Sequence, residues 1–366
     1  MANEETEAPG QGSESTSNPS NTSSAPTPRD LLEYIPIGHP DTMMSVESVR
    51  RAVEEFITKP TDIIVATFAK SGTTLVIWIC HLLRTGARDP DSLTGYDTLY
   101  DVVPWPTLSW DVGIDPNMAG SQFTPRVFKS HLRMASIYPG CKYVVTVRDP
   151  AKVALSFYNF FIAKRVPFVV DPDDDSEEEP KLLMDVSTFL VDTKFLKGCP
   201  KTETTNLRAS VWEYYVEYHA LMECPSVLML VYEDFVGEEE RRLDNIRTLG
   251  KFMGILNNGD STDDDDEALV ARTASMSTKS YMAPLVSKFD EPYERAKELN
   301  RSADLAQMAP GAKVALQPHT QIFDERAKIF LEDQWKATML PLGYENYNTF
   351  CDAVRERNRK LFGSRN

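Results

Sequence analysis

Residues 62–86 read "DIIVATFAKSGTTLVIWICHLLRTG", and this stretch decides the fold. A β-branched apolar run, "DIIVATF" (62–68), has the length and composition of a buried strand. A polar turn follows, Ala69-Lys70-Ser71-Gly72-Thr73-Thr74, and then an apolar run with helical character that stops at Gly86, a residue suited to ending a helix. Strand, glycine-bearing turn and helix in that order place unpaired backbone N–H groups and the positive end of a helix dipole at the turn. Lys70 adds a full charge, Ser71, Thr73 and Thr74 add hydroxyls, and Gly72 lets a ligand approach closely. The turn suits an anion. It lacks the G-x-x-x-x-G-K-[ST] pattern of the common nucleotide loop, because Lys70 precedes the only glycine. An ordinary hydroxyl-rich helix cap would use the same residue types.

Three more runs read as buried parallel strands: "RVFKS" (126–130), "KYVVTV" (142–147) and "SVLMLVY" (226–232). Helical patterns alternate with them. "DPAKVALSFYNFFIAKR" opens with Asp149 as N-cap and Pro150 in the first turn. "NLRASVWEYYVEYHALME", "EEERRLDNIRTLGKFMGIL" and "IFDERAKIFLEDQWKATMLPLG" are further helices. Alternating strands and helices predict a single α/β domain with a central parallel sheet flanked by helices, spanning residues 31–362. In such sheets ligands bind at the carboxyl ends of the strands. Two long connections, 86–125 and 164–205, have the length of lids or binding loops. Their aromatics Trp105, Trp110 and Phe168, with Phe160 and Phe161 of the neighbouring helix, are candidate walls of an acceptor pocket and equally candidate core.

The strand ends collect chemistry. Lys129-Ser130-His131 ends the second predicted strand. A histidine changes charge near neutral pH and can take a proton from an attacking hydroxyl. Arg148-Asp149-Pro150 ends the third, where an arginine beside a helix start can bind a phosphate in bidentate fashion or pair with a neighbouring acid. His39, His81, His219 and His319 are read as structural.

Composition narrows the function classes. The chain has 366 residues, 42% of them hydrophobic and 10% aromatic, enough to fill a core. It carries 39 basic and 55 acidic residues, a formal net charge of −16. Thirteen of the acids lie in two runs, "DPDDDSEEE" (171–179) and "DSTDDDDE" (260–267), both expected as solvated loops. No basic stripe points to a nucleic acid. No run reaches the length of a membrane span, and the first residues carry neither a secretory signal nor a transit peptide. Residues 1–30, rich in Ser, Thr, Pro, Asn and Glu, are expected to be a disordered tail. Cys80, Cys141, Cys199, Cys224 and Cys351 are scattered and form no C-x-x-C, which fits a reducing, cytoplasmic setting rather than a disulfide framework or zinc site.

Taken together these segments resemble the cytosolic-type sulfotransferases. "TFAKSGTTLV" is similar to that family's Y-P-K-S-G-T-T-W loop, and "RVFKSHL" to its K-[ST]-H segment. "YVVTVRDPAKVALSFYNFF" is similar to its R-[ND]-P-x-D-x-x-x-S-x-Y segment, with the Arg148-to-Ser156 spacing kept, and "LMLVYEDF" to its Y-E-D strand end. The resemblance implies a P-loop-like sulfotransferase fold and the donor 3′-phosphoadenosine 5′-phosphosulfate (PAPS). It implies transfer of a sulfuryl group to a hydroxyl or amine of a small-molecule acceptor, without a metal. It further implies that Lys70, Ser71, Gly72, Thr73 and Thr74 hold the 5′-phosphosulfate and that Arg148 and Ser156 hold the 3′-phosphate. Tyr232 would lie near the adenine, His131 would be the general base, and Lys129, with Lys70, would stabilise the transferring group.

The sequence also departs from the family pattern. Leu75 stands where a tryptophan usually stacks on the adenine, and Met276 where an aromatic often covers its other face. The C-terminal R-K-G-x-x-G-D-W-K run is replaced by "MAPGAKVALQPHT", in which Lys313 is the candidate for the 3′-phosphate. No match to the family's dimer-forming motif is found, so the oligomeric state stays open. Two other readings stay open as well. One is a kinase-like phosphotransferase, which needs magnesium ligands and a lysine in the Walker position. The other is a degenerate relative that binds the nucleotide without turnover.

Overall fold

The four apolar runs form four strands, β1 (Ile63–Ala66), β2 (Val127–Ser130), β3 (Lys142–Val147) and β4 (Val227–Val231). They pair in the order β2-β1-β3-β4, every pair parallel, with Ala66 opposite Ser130, Ile63 opposite Lys142 and Val147 opposite Val231. The computed structural model describes residues 44–88, 96–163, 169–171, 173, 180–192, 196, 210–257, 264–292, 295, 298–299 and 322–363. The expected tail 1–30, the start of the domain at 31, Phe168, Cys199, His39, His319, Lys313 and most of the first acidic run lie outside the described residues.

Alternation along the strands splits the core into two layers, because successive side chains leave opposite faces. Ile64, Ala66, Phe128, Val145, Val147 and Met229 face one cluster. It is completed by helices α4 (Val211–Ala220), α7 (Glu325–Thr338) and α8 (Tyr347–Phe362), which supply Trp212, Tyr215, Tyr218, Trp335, Phe350 and Val354. Ile63, Val65, Val127, Val144, Leu228 and Leu230 face the other. That layer is closed by α2 (Thr73–Thr85), α5 (Glu239–Met253) and α6 (Asp264–Met276). α2 is apolar almost all round and is buried from Val76 to Leu83. It stops at Gly86, whose left-handed conformation (φ +71°) turns its N–H back to the Leu82 and Leu83 carbonyls. α3 (Pro150–Ala163) begins where expected, with Asp149 Oδ1 accepting from the Ala151 N–H at 2.9 Å.

Among the described residues, three helices of nine residues or more were not expected from the sequence: α1 (Val46–Glu54), α6 and α8. α6 corrects the reading of the second acidic run, since Asp264 to Glu267 form its first turn. Four acids at a helix start are favoured by the dipole rather than left to a loop. α8 solves the problem of the outer strand. Arg357, buried, donates to the Met222, Cys224 and Val227 carbonyls at 2.6, 2.7 and 2.5 Å, and Asn358 donates to Met229 O at 2.5 Å. The Val227 and Met229 carbonyls are on the open edge of β4, where a fifth strand would otherwise pair, and those of Met222 and Cys224 lead into it.

In the connection from 86 to 125, the described residues 96–125 are packed. Short helical turns at Leu99–Asp101, Pro106–Ser109 and Trp110–Val112 bury Tyr100, Trp105, Leu108 and Val112. The histidines read as structural and described here, His81 and His219, have structural partners. His219 Nδ1 meets Tyr344 OH at 2.8 Å. His81 is fully buried in α2, its Nδ1 accepting from Arg84 Nε at 3.2 Å, with Tyr96 and Phe123 rings edge-on. Burial, reinforced by the Arg84 charge, holds its pKa well below the ordinary imidazole value of 6.5. The unfolded chain therefore takes up this proton first as the pH falls, and folded stability declines below about pH 6.5. The slope from this one group approaches about 1.4 kcal/mol per pH unit. His81→Asn is expected to flatten the denaturant-measured stability between pH 7 and pH 5 relative to wild type, and parallel slopes would contradict it.

Candidate active site

The order β2-β1-β3-β4 changes direction between β1 and β3, which opens a crevice at their carboxyl ends. The turn after β1 fills it. Lys70 (φ +67°) and Gly72 (φ +102°) both take positive φ, a conformation costly for the lysine and natural for the glycine. Three hydrogen bonds hold the turn: Ser71 N–H to Phe68 O at 3.2 Å, Thr146 Oγ1–H to Ser71 O at 2.8 Å, and the Thr67 and Thr73 hydroxyls paired at 2.5 Å. Gly72 is the N-cap of α2 and provides no side-chain cap, and no acid stands in the first turn. The first N–H groups of α2 are thus left to a ligand.

Arg148 joins the turn from the end of β3. Its Nη1 donates to Lys70 O at 2.5 Å, and its guanidinium lies 4.3 Å from the centre of the Tyr232 ring. Tyr215 fixes the arginine backbone, its hydroxyl accepting from the Arg148 N–H at 3.2 Å and donating to the Arg148 carbonyl. Tyr232, at the end of β4, covers the turn so closely that a Cβ on Gly72 would stand 2.3 Å from its Cδ2. Two buried polar atoms here have no hydrogen-bond partner among the described residues, Ser71 Oγ and Arg148 Nε. Buried donors without partners are rare in native proteins and point to a group that binds there. They fit an anion.

His131 is tied to the same place from β2. Its Nδ1 lies 2.9 Å from Thr67 O, and since a carbonyl only accepts, Nδ1 carries the proton. In the neutral ring the lone pair is then on Nε2, the form a general base requires. Trp105 packs edge-on against the imidazole at 5.0 Å, and Tyr214 OH donates to His131 O at 2.6 Å. Lys129 is 3% exposed, with Nζ 2.8 Å from Tyr100 OH, 3.5 Å from Glu291 Oε1 and 3.8 Å from the Trp105 ring centre.

The fold thus brings Lys70, Ser71, Gly72, Thr73, Arg148 and Tyr232 into one cluster and ties His131 to it through Thr67. The Lys70 ammonium stands over the Phe160 ring at 4.1 Å. Thr74 and Ser156 are half-buried, Ser156 two turns into α3. The Thr73 hydroxyl is turned inward to Thr67. Leu75 and Met276 both pack half-buried against the core layer containing α2, and Met276 O accepts from the Trp78 indole at 2.9 Å. Trp110, Phe161 and Trp105 all belong to core clusters, and Trp105 also packs against His131. Thr67, Tyr100, Thr146 and Glu291 were not singled out in the sequence. Thr146 had a signal, the lone aliphatic hydroxyl in "KYVVTV". Glu291 had none, lying 162 residues from Lys129.

Among the described residues no helix is long and apolar enough to cross a membrane. Residues 60–292 match the family model described as Sulfotransferase domain. Sulfotransferase 2A1 of Rattus norvegicus is 27% identical over 241 residues, covering 63% of this chain and 71% of the relative. Cytosolic sulfotransferase 1 of Danio rerio is 28% identical over 213 residues, covering 56% and 62%. Among solved structures, retinol dehydratase in complex with androsterone and the inactive cofactor PAP has the same fold, with a TM-score of 0.52 at 16% identity over 87% of this chain and 94% of that one. The chain belongs to the sulfotransferase family.

Proposed function

We propose that this protein transfers a sulfuryl group from PAPS to a hydroxyl or amine of a small-molecule acceptor. The observation that carries this reading is the pair of buried, unpartnered atoms, Ser71 Oγ and Arg148 Nε, beside the uncapped start of α2. The donor brings the activated sulfuryl group and a phosphate leaving group. Lys70, the Ser71 hydroxyl and the first-turn N–H groups of α2 hold its 5′-phosphosulfate, and Thr73 and Thr74 shape that turn. Arg148 and Ser156 hold its 3′-phosphate, Lys313 contributes there, and Tyr232 lies against the nucleotide. His131 Nε2 takes the acceptor proton as the acceptor oxygen bonds to sulfur and the bond from sulfur to the phosphate oxygen breaks. Lys70 and Lys129 neutralise the charge that grows on the transferring and leaving oxygens. No step is assigned to a metal. The aliphatic Leu75 and Met276 take the places of the adenine-stacking aromatics, and Trp105 and Phe160 line the acceptor side.

The four described cysteines, Cys80, Cys141, Cys224 and Cys351, are unpaired, which fits a cytoplasmic protein. Retinol and androsterone accompany PAP in the retinol dehydratase complexes, and small apolar alcohols are the first acceptors to test. A ligand that binds only the folded state must stabilise it. The nucleotide product 3′,5′-ADP at a hundred times its dissociation constant is expected to add about 2.7 kcal/mol and raise the melting temperature by a few degrees. No shift at saturation would overturn the reading.

A further inference from the structure

Lys129 is held by three segments that the sequence does not connect. Its backbone is fixed in β2, opposite Val65, with its N–H bonded to Pro104 O at 2.9 Å. Its ammonium is bonded to Tyr100 OH, from the turn Leu99–Asp101, and paired with Glu291, just past the turn Val286–Phe289. Tyr100 OH donates to the same Glu291 oxygen at 3.0 Å, so lysine, phenol and carboxylate close a triangle. All three are almost fully buried, at 3%, 3% and 4% exposure. A buried ammonium requires a counter-charge, and Glu291 supplies it. The faces of Trp105 and Tyr100, at 3.8 and 5.0 Å from Nζ, add a cation–π cage. Trp105 is also the ring against His131. The triangle therefore sets where this positive charge stands relative to the general base.

We propose that Glu291 and Tyr100 are positioning residues for transfer, holding the Lys129 ammonium charged and beside Trp105, two residues from His131. The proposal rests on the sulfuryl-transfer reading for its kinetic consequence but not for the hold itself. A sheet-borne lysine has four rotatable bonds, and without its carboxylate the head group loses its fixed place. The carboxylate acts through Lys129 and needs no contact with acceptor or donor.

Two measurements on the full chain test this. The first is the rate of reductive methylation of each lysine in the folded protein, read by peptide mass spectrometry. In Glu291→Gln, which keeps the side-chain shape, Lys129 is expected to react about tenfold faster than in wild type, as expected when a buried charge loses its partner. Lys142, bonded to Phe252 O, serves as the unchanged reference. Tyr100→Phe, which removes one oxygen, gives the same direction if Glu291→Gln folds poorly. The second is a double-mutant cycle in the transfer assay. Glu291→Gln is expected to lower kcat about tenfold or more with donor KM little changed, and to cost less than about twofold in a Lys129→Met background. Unchanged Lys129 reactivity in both variants, or losses that multiply, would overturn the proposal. Faster Lys129 labelling in a protein whose wild type transfers no sulfuryl group would uphold the hold and overturn the transfer reading instead.

Discussion

Replacing His131 by alanine is expected to lower sulfuryl transfer by about 10²- to 10⁴-fold, the usual worth of a positioned general base. Nucleotide binding should survive. The imidazole bonds the Thr67 carbonyl at the edge of the turn after β1, while the turn itself keeps the Thr146–Ser71 and Thr67–Thr73 bonds and its own backbone bond. What is lost is the proton acceptor set by Thr67 O, which keeps the proton on Nδ1 and the lone pair on Nε2. Single-turnover transfer with labelled donor, together with the melting shift given by 3′,5′-ADP, separates the two effects. His131→Ala with an unchanged shift and a rate within about threefold of wild type would remove His131 from the chemistry, since a base contributes far more than that.

Gly72→Ala is expected to damage the site more broadly. At φ +102° an L-residue is strained whatever the space around it. Here there is no space either, since the added methyl would stand 2.3 Å from Tyr232 Cδ2. Tyr232 must then leave Gly72, and in leaving it uncovers the Arg148 guanidinium stacked on its ring. A stability loss of about 2–3 kcal/mol is expected from strain and displaced packing together, with the 3′,5′-ADP shift abolished. Adding Tyr232→Ala relieves the clash but not the backbone strain, so the double variant should recover only part of the stability. Thermal melts of wild type, Gly72→Ala, Tyr232→Ala and the double variant, with and without nucleotide, give the answer. A Gly72→Ala protein with wild-type melting and an intact nucleotide shift would contradict this geometry.

Much of the fold was legible because its signals are local. Each strand of the sheet is a continuous β-branched run buried on both faces, and each was found within two residues of its ends. Gly86 and Asp149 mark helix boundaries with residues whose backbone or side-chain chemistry requires them there. The turn between β1 and α2 was legible for the same reason, being one contiguous segment. The α6 start was misread because a run of acids has two physical outcomes, a repelling loop or a dipole-stabilised first turn, and only the packing of Val270 and Ala274 selects the second. α8 escaped although Tyr347, Phe350, Cys351 and Val354 keep a helical apolar spacing, because the helix is otherwise polar and its hold on the sheet comes from Arg357 and Asn358 reaching strand carbonyls.

The candidate site was legible only where it is built from strand ends. Lys70, Arg148 and Tyr232 come together because parallel strands end on one side. Thr67 and Glu291 act through contacts across 64 and 162 residues, which no spacing rule reports. Trp105 was one of several aromatics with two candidate roles, and its place was decided by the His131 ring against it.

The central claim is transfer itself. The direct measurement is incubation of the full chain with donor labelled in its sulfuryl group and a mixed library of small alcohols, phenols and amines, followed by separation of products. The account predicts label on an acceptor, with one equivalent of 3′,5′-ADP released for each acceptor modified, and loss of both in His131→Ala. A wild-type protein that binds 3′,5′-ADP yet moves no label to any acceptor, or moves it equally well without His131, would contradict it.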